Sequence, residues 1–302
     1  RPTSGTTPIT CIRRHPSASN LYFSADPDGY VYFFTREGGS DTFIKGFLGD
    51  ECSKQFQNFS ETDNEIFSLD VEGTGCKLLT GGKDMNMRLY DLDSRKVSCE
   101  RFQKEMVVNM WCLKLINMYQ PPPKTSDIIA SDYHGHTARI NCIKAFPDSP
   151  YLFASGGWDS SIRLWDTRLT SGIYGVLHGP MISGDAIDIK GSIIATASWT
   201  VRNGLEIWDL RTYSKLGAHA LKTKNNKGEY LYSCRFVEAD PSGSKVIVCG
   251  SGINNIQAFD LLKKKVVGVL EGERAVCCLS ASRNRVCGGV VDSSVKVAEL
   301  DQ

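Results

Sequence analysis

The chain has 302 residues, and its 35 Lys plus Arg nearly balance its 34 Asp plus Glu, for a net charge of +1. This balance argues against a dedicated nucleic-acid-binding protein, which would carry a basic excess. The apolar runs have the length of strands, so we expect nothing that spans or inserts into a membrane. The first ten residues, RPTSGTTPIT, lack the apolar block of a signal peptide, and we expect a cytoplasmic protein, with the nucleus and the cilium as alternatives.

The 11 cysteines are odd in number and scattered, and many stand in apolar, strand-like contexts. This usage predicts buried, reduced thiols rather than a framework of disulfides. No CxxC sequence occurs, so the usual spacing of a zinc cluster is absent. We therefore predict no structural metal and no cofactor.

A short pattern recurs along the chain, in which a turn Asp is followed six positions later by a residue that ends the copy of the pattern, most often an aromatic one. Its four clear copies pair Asp28 with Phe34, Asp84 with Tyr90, Asp159 with Trp165 and Asp292 with Ala298. Two weaker copies, which end at Trp208 and Phe259, lack the Asp. The apolar alternation around each copy is that of strands, and units of about 40 residues with short strands indicate a repeated β structure.

One interval in this series is long enough for a further, degenerate unit. It lies between Tyr90 and Trp165, and its strands would be MVVNMWCLKL (106–115) and SDIIASDY (126–133), with the loop 121–126 between them. This hypothesis brings the number of units to seven. It also predicts a single domain over residues 1–302, with a loop or a break in the chain near 118–130.

The best copy carries a resemblance to a known family. The segments GHTARINCIKAF (135–146) and LFASGGWDSSIRLWD (152–166) resemble a blade of the WD-repeat proteins, with both the Gly-His and the Trp-Asp signatures. The resemblance implies an all-β fold, a seven-bladed WD-repeat β-propeller in which one blade is degenerate. It also implies a buried hydrogen-bond chain through His136, Asp159, Ser155 and Trp165.

The segment around His136 has an alternative interpretation as a metal site. Two histidines alternate in His134-Gly135-His136, and Asp132 lies close by in the sequence. The Gly-His signature of a blade explains the same residues, and we predict no metal site here.

Partner-binding residues follow from the same register. Trp158 stands one position before the turn Asp, at the rim that the family resemblance makes the upper, partner-binding face. We assign Trp199 and Lys83 to the same rim, and Arg139 and Asp185 to its border. Exposed aromatic residues are typical of interaction hot spots. Packing against a neighbouring blade is the alternative for the two tryptophans.

Two further resemblances suggest more specific roles. WDTR (165–168) and WDLR (208–211) resemble the box of substrate receptors of cullin-four ubiquitin ligases, in which Arg168 and Arg211 would reach an adaptor. The segment from SGDAIDIKG to LEIWDLR resembles divergent WD proteins of ciliated and flagellated protists. These give two alternative functions: ligase receptor and component of a ciliary or flagellar complex.

No nucleophile, acid–base or phosphate-binding motif occurs in the sequence. The basic runs 222–227 and 263–265 are interpreted as solvated turns. We therefore predict a non-catalytic scaffold that binds other proteins or peptides, in a complex of several subunits, through its upper face and rim.

Overall fold

The structure, a computed structural model, describes residues 8–37, 40–46, 64–92, 114–120, 135–169, 171–223, 228–282 and 285–299. Every regular element in these ranges is a β-strand. The chain divides into two compact units, residues 1–151 and 152–302. The single domain predicted from the sequence stays a prediction.

The first unit contains two antiparallel sheets of four strands and one further strand. Its strands are β1 (Cys11–Arg14), β2 (Leu21–Ala25), β3 (Val31–Glu37), β4 (Ser40–Gly46), β5 (Ile66–Val71), β6 (Lys77–Gly82), β7 (Met87–Asp91), β8 (Lys114–Tyr119) and β9 (Ile140–Ala145). Sheets β1–β4 and β5–β8 follow chain order, so each strand pairs with its neighbours in sequence. Strand β9 lies beside β5, because Ile143 N donates to Ser68 Oγ at 2.9 Å.

The second unit continues with the same hairpin connectivity. Its strands are β10 (Leu152–Gly157), β11 (Ser161–Asp166), β12 (Ile173–His178), β13 (Ile187–Lys190), β14 (Ile193–Ala197), β15 (Leu205–Asp209), β16 (Ser214–His219), β17 (Leu231–Phe236), β18 (Lys245–Gly250), β19 (Ile256–Asp260), β20 (Lys265–Leu270), β21 (Val276–Ser282), β22 (Arg285–Val290) and β23 (Val295–Glu299). Strands β10–β12 are followed by the sheets β13–β16, β17–β20 and β21–β23.

The prediction of seven blades is wrong, because the described residues form six sheets. Strand β8, which begins within the segment assigned to the extra unit, pairs with β7, with Met87 opposite Tyr119. It is therefore the fourth strand of the second sheet. The long interval that suggested another unit contains this displaced strand, and residues 126–133 lie outside the described residues.

Six turns between the second and third strands share one backbone feature. The residue after the aligned Asp position has a positive φ in every copy, including the two that lack the Asp. These residues are Gly29 (83°), Met85 (65°), Ser160 (55°), Asn203 (57°), Asn254 (51°) and Ser293 (67°). Positive φ is uncommon outside glycine and marks a specific tight turn. The register of the six copies inferred from the sequence is therefore the register of the fold.

Apolar side chains fill the space between successive sheets within each unit. In the first unit Phe23 and Ala25 of β2 are buried against Leu69 of β5 and Leu78 of β6. Carboxylates also connect neighbouring sheets. Asp188 Oδ2 in β13 accepts a hydrogen bond from the backbone N–H of Phe236 in β17, at 2.8 Å. Paired in this way, a carboxylate can be buried between sheets.

Candidate functional site

The hydrogen-bond chain implied by the family resemblance can be followed in part within the second unit. Trp165 is fully buried, and its Nε1 donates to Ser155 Oγ at 2.8 Å. Its ring stacks on Phe153, with centroids 5.9 Å apart. Asp159 Oδ1 accepts hydrogen bonds from the backbone N–H and hydroxyl of Ser161, at 3.2 and 2.8 Å. His136 is buried in the first unit, and its link to this chain stays a prediction.

The next sheet contains a second Trp–hydroxyl pair that we did not assign from the sequence. Trp208 Nε1 donates to Thr196 Oγ1 at 3.3 Å, and both residues are buried. Thr196 corresponds to Ser155, since each lies two positions after the residue that pairs with the Trp, which is Phe153 for Trp165 and Ile194 for Trp208. Thr196 stands six positions before the empty Asp position at Arg202, whereas Ser155 stands four before Asp159, so the spacing of the other copies does not reveal it.

Trp158 and Trp199 lie on either side of one backbone segment. Trp158 is 39% exposed in the turn after Gly157. The carbonyl of Gly157 accepts a hydrogen bond from Ile182 N at 3.0 Å, and the carbonyl of Met181 accepts one from Trp199 N at 2.8 Å. The segment 181–182 therefore joins the turns that carry the two tryptophans.

The apolar surface continues beyond Trp199. Its ring lies 5.1 Å from that of Tyr230, and both residues are half-buried. Val201, two residues further on, is 52% exposed. In the repeat register Val201, and not Trp199, occupies the position of Trp158, because the turn between β14 and β15 is longer. We call Trp158, Met181, Trp199, Val201 and Tyr230 the tryptophan strip.

The indole N–H of Trp199 is shielded from solvent, and no acceptor among the described residues bonds to it. Asp185, by contrast, is fully engaged at the border of the strip. Its carboxylate forms an ion pair with Arg235, and its carbonyl accepts from Ser233 Oγ at 2.8 Å. The negative charge of Asp185 is therefore largely neutralised within the protein.

Lys83 and Arg139 lie in the first unit, around one glutamate. Lys83 is exposed and forms an ion pair with Glu65. The Arg139 guanidinium lies 5.5 Å from the ring centroid of Phe67. Burial lowers the pKa of Arg139, and the charge of Glu65 opposes that shift. We call Lys83 and Arg139 the cationic cluster.

Arg168 and Arg211 have the same geometry in neighbouring sheets. The Nε and Nη2 atoms of Arg168 donate to Asp166, at 2.9 and 2.7 Å. The same atoms of Arg211 donate to Asp209, at 3.1 and 2.9 Å. These bidentate pairs hold the pKa of both carboxyl groups below the usual value. Each arginine is exposed yet already paired within its own motif.

A cavity of about 640 Å³ opens beside the turn between β22 and β23. It is lined by Glu271, Gly272, Glu273, Arg274, Val290, Asp292 and Lys296. Hydrogen bonds from Ser294 hold the pKa of Asp292 below its usual value, opposite to what a general acid needs at neutral pH. Asp292 is therefore held in the ionised form, which does not act as a general acid.

Within the described ranges, no group of three or more His, Cys, Asp or Glu side chains could hold a metal ion. In the same part of the chain, no helix is long and apolar enough to cross a membrane.

Comparison with known proteins agrees with the repeat. Residues 128–166 match the WD40 family, described as WD domain, G-beta repeat. The chain is 27% identical over 175 residues to guanine nucleotide-binding protein subunit beta-1 of Nicotiana tabacum, covering 54% of this chain and 44% of that protein. It is 26% identical over 108 residues to methylosome protein WDR77 of Xenopus laevis, covering 36% and 23%.

A third relative, ribosome biogenesis protein ytm1 of Schizosaccharomyces pombe, is 35% identical over 187 residues, covering 53% of this chain and 42% of that protein. The chain thus spans less than half the length of these curated relatives. Together with the repeated antiparallel sheets and their six matching turns, these matches show that the chain is similar to WD-repeat proteins and support a WD-repeat β-propeller fold.

Proposed function

We propose that this protein is a non-catalytic interaction module that binds protein segments on the tryptophan strip. The observation that carries the proposal is the exposure of Trp158 and Val201 at the same register position of neighbouring sheets, at 39% and 52%. Exposed apolar clusters of this kind mark interaction sites. Rigid sheets hold the turns in a fixed relation, which suits recognition of a partner.

The buried indole N–H of Trp199 supports the same proposal. An unpaired buried donor costs about 1–3 kcal/mol. Natural proteins accept such costs chiefly at functional sites. Trp and Tyr also combine a large apolar area with few rotatable bonds, so they anchor partners at a low cost in entropy.

The partner is a protein or peptide within a larger assembly, and the location is the cytoplasm, the nucleus or the cilium. The three relatives are named as a subunit of a guanine nucleotide-binding protein, a methylosome protein and a ribosome biogenesis protein. They support assembly with other proteins as the common theme. The cationic cluster of Lys83 and Arg139 forms a second candidate contact in the first unit.

A photo-reactive benzoylphenylalanine introduced at position 158 tests the proposal. It should cross-link one discrete set of proteins in native extract, identified by mass spectrometry. The same probe at Leu262, which is 80% exposed outside the strip, serves as the control. Identical products from both positions, or none from position 158, would contradict a binding site on the strip.

The ligase-receptor alternative has one supporting observation, the matched Asp–Arg pairs of Arg168 and Arg211 in adjacent sheets. Two guanidinium groups held alike could bind a single adaptor surface. The Nε and Nη2 atoms of each guanidinium are already bonded to the aspartate of the same motif. The ligase receptor is therefore the second candidate function.

A further inference from the structure

One turn of the tryptophan strip lacks the carboxylate that other turns use. In three of the turns the aligned Asp accepts a hydrogen bond from the backbone N–H two residues later. These pairs are Asp84 with Asn86 (3.1 Å), Asp159 with Ser161 (3.2 Å) and Asp292 with Ser294 (3.0 Å). Between β14 and β15 the aligned residue is Arg202, whose side chain has no acceptor.

A carboxylate from further along the chain takes this place. Glu229 Oε2 accepts from Gly204 N at 2.7 Å, and Gly204 is the residue two positions after Arg202. Glu229 Oε1 accepts from Asn203 N at 3.0 Å and from Leu221 N at 3.2 Å. Glu229 is only 2% exposed, so these bonds satisfy a buried charge.

Backbone hydrogen bonds strengthen the same connection. Glu229 N donates to the carbonyl of Val201 at 3.2 Å, and Tyr230 N donates to that of Thr200 at 2.9 Å. The turn is therefore bonded on both sides to the connection that leads into β17. Val201 and Arg202 remain exposed on its outer side.

We propose that Glu229 substitutes for the missing turn aspartate and acts as a positioning residue, which holds Val201 and Trp199 in the shape that binds the partner. Its role in binding rests on the proposed function, whereas its role in the turn does not. An Asp at position 202 would accept the hydrogen bond of the turn from within the same sheet. The carboxylate of Glu229 instead makes the shape of the strip depend on the neighbouring connection.

Amide hydrogen exchange, measured by NMR, tests the role in the turn. Glu229→Ala should raise exchange at Gly204 and Asn203 by about tenfold or more, since a charge-assisted bond is lost. Glu229→Gln keeps one acceptor oxygen and should give a smaller rise, which secures the test if the alanine variant does not fold. Glu273→Ala, which removes an exposed glutamate elsewhere, should leave both amides unchanged.

A compensating variant makes the test specific. In Arg202→Asp combined with Glu229→Ala, the new local carboxylate should restore protection of Gly204. Arg202→Asp alone should lower stability, because it places a second negative charge beside Glu229. Unchanged exchange in Glu229→Ala, or no recovery in the double variant, would overturn the substitution of one carboxylate for the other.

Cross-linking from position 158 then tests the role in binding. The yield should fall severalfold in Glu229→Gln and stay constant in Glu273→Ala. A normal yield together with raised exchange at Gly204 would overturn the positioning role. If the unmodified sequence gives no product from position 158, the proposed function fails, and the exchange data still decide the role of Glu229 in the turn.

Discussion

Trp165 in β11 donates a hydrogen bond to Ser155 in β10, with the indole Nε1 2.8 Å from the hydroxyl oxygen. Neither residue is accessible to solvent. The bond therefore satisfies a donor and an acceptor that burial would otherwise leave unpaired, at a cost of about 1–3 kcal/mol. Trp165 is thus buried within the sheet, whereas Trp158, seven residues earlier, is 39% exposed.

The first prediction concerns this pair. Trp165→Ala should lower the free energy of unfolding by about 3–5 kcal/mol, since it removes a buried ring that stacks on Phe153. Trp165→Phe retains a ring and should cost less, chiefly the lost bond to Ser155. Unfolding in urea, followed by tryptophan fluorescence, measures the stability of both variants. A melting temperature close to that of the unmodified protein in Trp165→Ala would contradict the burial of this residue.

The register of the sheets could be predicted because its signal is local. In each copy the turn position stands six positions before the aligned residue of the third strand, such as Trp165 or Phe259. A residue with positive φ follows that position even where the Asp is missing, as Asn254 does before Phe259. A spacing of this kind is a property of one hairpin, so it survives the divergence of the rest of the repeat.

The number of sheets and the role of Glu229 could not be predicted, for the opposite reason. Strand β8 pairs with β7 across residues 92–113, and a long interval looks the same whether it contains a displaced strand or a whole unit. Glu229 bonds to Gly204 across 25 residues. Nothing in the sequence around Arg202 indicates which distant carboxylate replaces the missing one.

The second prediction concerns the contact between sheets at Asp188. Asp188→Ala should lower the free energy of unfolding by about 1–3 kcal/mol, because Phe236 N is left buried without an acceptor. Asp188→Asn keeps a carbonyl oxygen in place and should cost less. Chemical denaturation compares the two. Equal stability of both variants and the unmodified protein would show that this bond contributes nothing measurable.

The third prediction is a pH dependence at Asp240. Burial raises the pKa of its carboxyl group, but hydrogen bonds from Ser242, Ser244 and Lys245 outweigh it and lower the pKa from 3.8 to about 2. The folded pKa lies below the unfolded one. The contribution of the ionised Asp240 carboxylate to stability is therefore present above pH 3.8 and is lost as the pH falls towards about 2.

Asp240→Asn removes the titrating group and should flatten the fall in melting temperature over this pH range. Asp148→Asn, a change in a turn of the other unit, serves as the control. The same acid slope in the Asp240 variant as in the unmodified protein would contradict the prediction.

The fourth prediction separates the ligase alternative from the fold. Arg168→Ala with Arg211→Ala should leave the melting temperature nearly unchanged, because exposed ion pairs contribute little to stability. The pKa of Asp166 and of Asp209 should rise towards the usual value, which NMR titration can follow. Capture of a cullin-four adaptor should be lost if the protein is a receptor. Recovery of the same partners by the double variant would remove the sequence support for that role.

The last prediction concerns Trp158, which lies in the turn between β10 and β11 and is 39% exposed. Trp158→Ala should cost about 1 kcal/mol or less of stability, since no interior cavity forms. It should weaken binding to the partner by about 2 kcal/mol or more, as truncation of a hot-spot aromatic does. Leu262→Ala, at an exposed position outside the strip, should change neither quantity. If Trp158→Ala instead unfolds the protein while its folded fraction binds at full strength, Trp158 is a packing residue and the strip loses its anchor.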